Sequence, residues 1–152
     1  MKKRDILLSC FGALCLAVPF ASLGLDALLS AHKNDNEAAA IGSLKAIANA
    51  QTLYREADKD GDGTLAYSAS LDELGRLGLV PAELADGEDR GYRFRITTAR
   101  APQDQFVWVV NADPLPGGGD RHFGGNMAGL IFFNAQAPVT FGPDGSSTDA
   151  AG

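Results

Sequence analysis

Cysteine is almost missing from this 152-residue chain: there are two, Cys10 and Cys15, both inside its one long apolar run. The remainder therefore has no disulfide and no thiolate metal site. The two cysteines read as small apolar residues. Histidine is as scarce. His32 and His122 stand ninety positions apart with no Cys or His beside either, so no zinc motif is present. No nucleophile-elbow sequence occurs, and the Gly117–Gly118–Gly119 run precedes no helical pattern, which excludes a phosphate-binding glycine loop of the usual kind. No set of residues converges on a recognisable reaction, so the chain is not read as an enzyme. Positive charge is also thin. Residues 32–152 hold 10 Lys/Arg against 17 Asp/Glu, a balance of 10 − 17 = −7. A surface this acidic repels phosphate backbones and argues against a nucleic-acid partner.

Apolar residues make up 45% and charged residues 21%, close to a globular average, which excludes wholesale disorder. The apolar content is uneven. Lys2, Lys3 and Arg4, followed by Asp5, precede residues 6–25 (ILLSCFGALCLAVPFASLGL), which carry no charge. As a helix this run reaches roughly 30 Å, one hydrocarbon core. Residues 1–31 are expected to form a single-pass anchor in the cell membrane, with the basic end cytoplasmic and the C-terminal domain periplasmic or extracellular. A cleaved signal peptide is the competing reading, with Ser22–Leu23–Gly24 the best small-residue cleavage site.

Beyond it, the Ala-rich stretch from about 35 to 57 contains no Pro, and Ile41, Leu44, Ile47, Ala48 and Tyr54 recur at three- and four-residue steps. This predicts an amphipathic helix. Asn34 and Glu37 have capping-box spacing for a helix restarting there. Its apolar stripe is narrow and needs a sheet to cover it. Tyr92, Phe94 and Ile96 alternate with polar residues as one strand, residues 106–110 (FVWVV) form a second and residues 129–133 a third, with a short edge strand at 138–141. Residues 111–126 read as a long polar loop. The fold class is α+β, a long N-terminal helix on a three- to four-stranded antiparallel sheet, with the domain at 32–141 and a disordered tail at 142–152. The expected core is Ile41, Leu44, Ile47, Tyr54, Leu71, Leu74, Tyr92, Phe94, Ile96, Val107, Val109, Leu130 and Phe132, with Trp108 on the opposite face. The arginines at 90, 93, 95 and 100 read as the wet side of the first strand.

One segment carries metal chemistry. In DKDGDGTL, Asp58, Asp60 and Asp62 alternate, Gly63 supplies a sharp turn, and Thr64 offers its carbonyl. Carboxylates converging in this way suit Ca²⁺, and the spacing fits the start of an EF-hand loop. The twelfth position, where a bidentate Glu belongs, is Ala69. Glu73 is the substitute ligand, yet Ser70 and Glu73 also have the spacing of a capping box opening a short helix at 71–77. The other reading of the three aspartates is a solvated Asp/Gly turn.

The order of parts resembles a type IV pilin or pseudopilin: an apolar helix running into an amphipathic one, a variable loop, then antiparallel strands. NEAAAIGSLKAIANAQTLYREADKDGDGTLAYSASLDEL followed by GYRFRI is similar to pilin-like proteins with an N-E-x-x-A-I-x-S-L helix, an Asp-rich turn, a short S-L-x-E-L helix and a G-Y-x-F strand. FGGNMAGLIFF at 123–133 resembles their closing strand, so the resemblance spans about 34–134. KKRDILLSCF has neither the Gly nor the Glu of a prepilin cleavage region. The resemblance thus implies a pilin-like head on an uncleaved anchor, a structural subunit of a surface filament or secretion apparatus whose partners are the membrane and other pilin-like subunits or itself. The alternative is a monomeric, membrane-anchored calcium-binding or interaction module that forms no filament.

Overall fold

The computed structural model describes residues 20–100 and 103–148. Most of the expected anchor, including Cys10 and Cys15, lies outside the described residues. Among the described residues, no helix is long and apolar enough to cross a membrane.

Helix α1 (Phe20–Glu56) is unbroken over 37 residues, about 55 Å at 1.5 Å per residue. It does not restart at Asn34, so the expected capping box is not formed there. Its end is a Schellman motif: Asp58 takes the left-handed conformation (φ 44°), its N–H bonds the Arg55 carbonyl, and the Lys59 N–H bonds the Tyr54 carbonyl. Two short helices follow, α2 (Leu71–Arg76) and α3 (Ala82–Ala85). Ser70 caps α2 as its spacing predicts, its hydroxyl accepting from the Glu73 N–H at 3.4 Å.

Five strands make an antiparallel meander: β1 (Glu88–Asp89), β2 (Tyr92–Thr98), β3 (Trp108–Pro114), β4 (His122–Asn126) and β5 (Ile131–Asn134), in that order across the sheet. The expected long loop at 111–126 thus contains the end of β3 and all of β4. HFGGN has little β propensity of its own; it is a strand because the ladders on both sides enclose it. The expected edge strand at 138–141 is an isolated bridge between Phe141 and Ser147.

The face of the sheet toward α1 carries Tyr92, Phe94, Ile96, Trp108, Val110, Ala112 and Phe123, packed on Ala40, Leu44, Ile47, Ala50 and Tyr54. Ile41 packs at the margin of this core. The expected phase of β3 is therefore inverted. Register pairs Thr98 with Trp108, Ile96 with Val110 and Phe94 with Ala112, and opposed residues share a face. Trp108 is 2% exposed, while Val107 and Val109 turn away from the helix. An unbroken apolar run contains no alternation from which to read its phase. Leu130, expected in the core, precedes β5 and is 56% exposed.

Phe132 faces the other side, where the chain after β5 returns as a strap. Val139 is buried, the Phe141 ring lies edge-on to Phe132 at 5.9 Å, and the Asn111 side chain donates to the Val139 carbonyl at 2.7 Å. Gly124 makes this crossing possible, since a Cβ there would lie 2.7 Å from the Phe141 ring. Residues 142–148, expected to be disordered, form a turn in which Gly145 is buried and accepts from the Asn126 side chain at 2.9 Å.

Candidate functional site

The aspartate turn begins where α1 ends. Asp58 occupies a position where Gly is the usual residue, and its carboxylate sits beside the partly negative C-terminus of a helix. Both features are unfavourable for an isolated chain segment. One carboxylate oxygen from each of Asp58, Asp60 and Asp62 lies within 4.8 Å of the others. The turn is held by the Gly63 N–H on Asp58 Oδ2 at 3.2 Å and the Thr64 N–H on Asp62 Oδ1 at 2.7 Å. Asp58 Oδ1 is buried and has no hydrogen-bond partner among the described residues. A buried carboxylate oxygen left unmatched is costly unless a cation meets it, so the donor set fits a hard divalent ion.

The remaining expected ligands are placed differently. The Thr64 carbonyl accepts from the Ala66 N–H at 2.8 Å. Glu73 stands apart from the three gathered carboxylates, and its Oε2 accepts from the Ser68 hydroxyl at 2.7 Å. Tyr54 bridges the two regions. Its hydroxyl donates to Asp60 Oδ2 at 3.2 Å, and burial, with the charges of Glu73 and Asp60, raises the phenol well above its usual range.

A second polar centre was not legible in the sequence. Glu37, on the inner side of α1 and 4% exposed, accepts from the backbone N–H groups of Asp120 (2.9 Å) and Arg121 (3.2 Å) on Oε1, and from Arg121 Nε (2.7 Å) on Oε2. Burial alone would raise the Glu37 carboxyl, but these bonds and the guanidinium charge outweigh it and hold it below the usual carboxylate range. Beside it the buried Asn36 donates to the Gly118 carbonyl at 2.9 Å, and Lys33 pairs with Asp120. Further along α1, Gln51 exchanges two bonds with the Ser68 backbone at 2.7 and 2.9 Å. Each of these side chains fixes the helix to a loop of the head. The only sequence signal was a polar residue on an otherwise small-residue face.

Gly118 and Gly119 have packing roles here. A Cβ on Gly118 would lie 2.0 Å from the Gly91 carbonyl oxygen, and one on Gly119 would lie 2.1 Å from the Tyr92 hydroxyl. The Tyr92 hydroxyl donates to the Arg121 carbonyl at 2.8 Å, and its phenol is pushed up to about 12, chiefly by burial and then by the Glu37 charge.

No protein-family model matches the chain, and no curated protein or solved structure matches it.

Proposed function

We propose that the chain is a membrane-anchored, pilin-like structural subunit of a surface filament or secretion apparatus, with its head on the outer side of the cell membrane. The observation that carries this reading is the division of α1. From Asn36 onward its inner face is buried in the head, whereas Leu25, Leu28 and Leu29 on the preceding turns are all exposed. Those leucines lie at three- and four-residue spacing on one side of a helix whose first described residue, Phe20, belongs to the apolar run. An exposed apolar stripe of this kind suits cover by lipid or by another helix.

Calcium at the turn belongs to the same proposal. Asp58, Asp60 and Asp62 would hold it, and its charge would offset both their mutual repulsion and the helix C-terminus. Its role would be structural, tying the end of α1 to the segment that leads into α2.

Cross-linking tests the assembly. With Cys10 and Cys15 replaced by Ser, Leu28→Cys should give oxidant-dependent disulfide-linked dimers in membranes, and an equivalent cysteine at exposed Arg76 should not. Monomer alone from Leu28→Cys would favour the single, non-filamentous binding module. Mass spectrometry of the mature N-terminus tests the anchor: an intact terminus is expected, and a start near Leu25 would identify a cleaved signal peptide.

A further inference from the structure

The turn between β1 and β2 is two residues long, Arg90 and Gly91, with φ of 42° and 77°. Both being left-handed identifies the mirror-image turn favoured in hairpins, whose first position is cheap for Asn, Asp or Gly and strained for Arg. The strained residue lines an open pocket of about 400 Å³ with His32, Asn36, Gly91, Pro116, Gly117 and Gly118. Nothing in that lining is acidic, although the chain as a whole carries −6. Most carboxylates on the flanking elements are already engaged: Glu88 with Arg93, Asp89 with the Ser43 hydroxyl at 2.8 Å, Glu37 with Arg121 and Asp120 with Lys33, while Asp35 beside Asn36 is exposed to solvent. Arg90 has no ion pair among the described residues, unlike Arg76, Arg93 and Arg121. The walls are fixed, because Asn36 holds Gly118 and the Leu115 N–H bonds the Gly91 carbonyl at 2.8 Å.

We propose that this pocket binds a phosphate group, supplied in the membrane by the headgroup of an anionic phospholipid. A guanidinium with an imidazole nearby, and the one N–H of the Asn36 amide that is not spent on Gly118, is a donor set suited to a phosphate oxyanion. The source follows from position. His32 lies seven residues beyond Leu25, where the apolar run ends, a rise of about 10 Å along the helix. The headgroup layer extends roughly 5–8 Å past the hydrocarbon, within reach of a long cationic side chain at the pocket. The assignment to lipid rests on the anchor reading; the phosphate site does not.

The test uses the full chain in maltoside micelles, which contain no phosphate, titrated with inorganic phosphate by calorimetry. Saturable millimolar binding is expected, weakened about tenfold or more by Arg90→Gly, in keeping with loss of a charge-assisted contact. Arg90→Gly also relieves the strained turn, so its melting temperature should be unchanged or higher. A purely structural role for Arg90 would lower it. His32→Gln is a second variant expected to weaken binding without unfolding the head. Absence of phosphate binding by the wild-type chain, or equal binding by Arg90→Gly, would overturn the site. In nanodiscs of phosphatidylglycerol the free-phosphate affinity should drop at least tenfold relative to glycolipid nanodiscs doped with a fatty acid to the same surface charge, which repel phosphate equally but offer no lipid phosphate to fill the pocket. Unchanged affinity there would overturn the lipid source and leave a site for soluble phosphate. Failure of the chain to enter nanodiscs at all would count against the anchor and leave the micelle result standing.

Discussion

Glu37 is the residue whose loss should separate helix from head. Its carboxylate serves two backbone N–H groups through one oxygen and the Arg121 guanidinium through the other, and it is 4% exposed. Glu37→Gln keeps one oxygen for the two amides but turns an NH₂ toward the guanidinium, leaving donor facing donor. A hydrogen bond to a charged group contributes about 1.5–3 kcal/mol, and the lower half of that range applies because the Arg121 side chain is 44% exposed and can turn to water. Glu37→Ala also abandons both N–H groups and should cost about 3–4 kcal/mol. Denaturant unfolding followed by circular dichroism gives the totals, and amide hydrogen exchange gives the location. Exchange at Asp120 and Arg121 should accelerate in Glu37→Ala, which removes their acceptor, while the Asp58–Asp62 turn is unaffected. A Gln variant within about 0.5 kcal/mol of wild type, or an Ala variant with both amides still protected, would refute the reasoning. The pH dependence has a definite sign. The folded carboxyl sits below its ordinary value of 4.5, so its stabilisation is complete above that value and is lost as pH falls through the folded pKa. The wild-type and Gln stability curves should therefore converge only in acid.

Other outcomes follow from the same contacts. Millimolar Ca²⁺ should raise the melting temperature of the full chain, by about 1.4 kcal/mol of stability at ten times the dissociation constant, and Asp60→Ala should abolish the effect. Glu73→Gln should leave calcium affinity intact, since that carboxylate is bonded to Ser68; a lost response would restore Glu73 as a ligand. Gly118→Ala should cost about 1–3 kcal/mol in denaturant unfolding, because the new methyl would stand 2.0 Å from the Gly91 oxygen. In an ultraviolet titration Tyr92 should ionise only near pH 12; its stabilisation is complete below the unfolded value of 10.0 and is lost as pH rises through the folded value, and Tyr92→Phe should remove that step.

What the sequence made legible was whatever depends on local periodicity. The 3.6-residue stripe of Leu44, Ile47 and Tyr54, the alternation of Tyr92, Phe94 and Ile96, and the Ser70 cap all describe elements whose inward face the structure buries or whose cap it forms, although the Ser70 N–H is met by the Ser68 hydroxyl and not by Glu73. The misread elements are those fixed by partners far along the chain. The phase of β3 comes from its register with β2, and β4 exists because β3 and β5 flank it. The glycines of β4 read as loop residues, yet Gly124 is where the Phe141 strap crosses the sheet. Of the candidate metal site, the three aspartates converge as their spacing predicts. The orientation of Glu73 was undetermined in sequence because a cap and a ligand share the same spacing.

The buried polar residues of α1 explain how a helix with so narrow a stripe finds one position on the sheet. Sliding the helix one turn would set Leu44 where Ala40 packs and Tyr54 where Ala50 packs, an overpacking that costs about 1–3 kcal/mol at each position. The same slide would carry Asn36, Glu37 and Gln51 about 5.4 Å from Gly118, Arg121 and Ser68, leaving a buried carboxylate and two amides unmatched. Each unmatched group costs about 1–3 kcal/mol, so polar mismatch and overpacking together exclude the alternative positions. Lys33 and Asn36 add their bonds to Asp120 and Gly118 just ahead of Glu37, so the register of α1 is set at its first buried turn, directly after the exposed Leu25, Leu28 and Leu29.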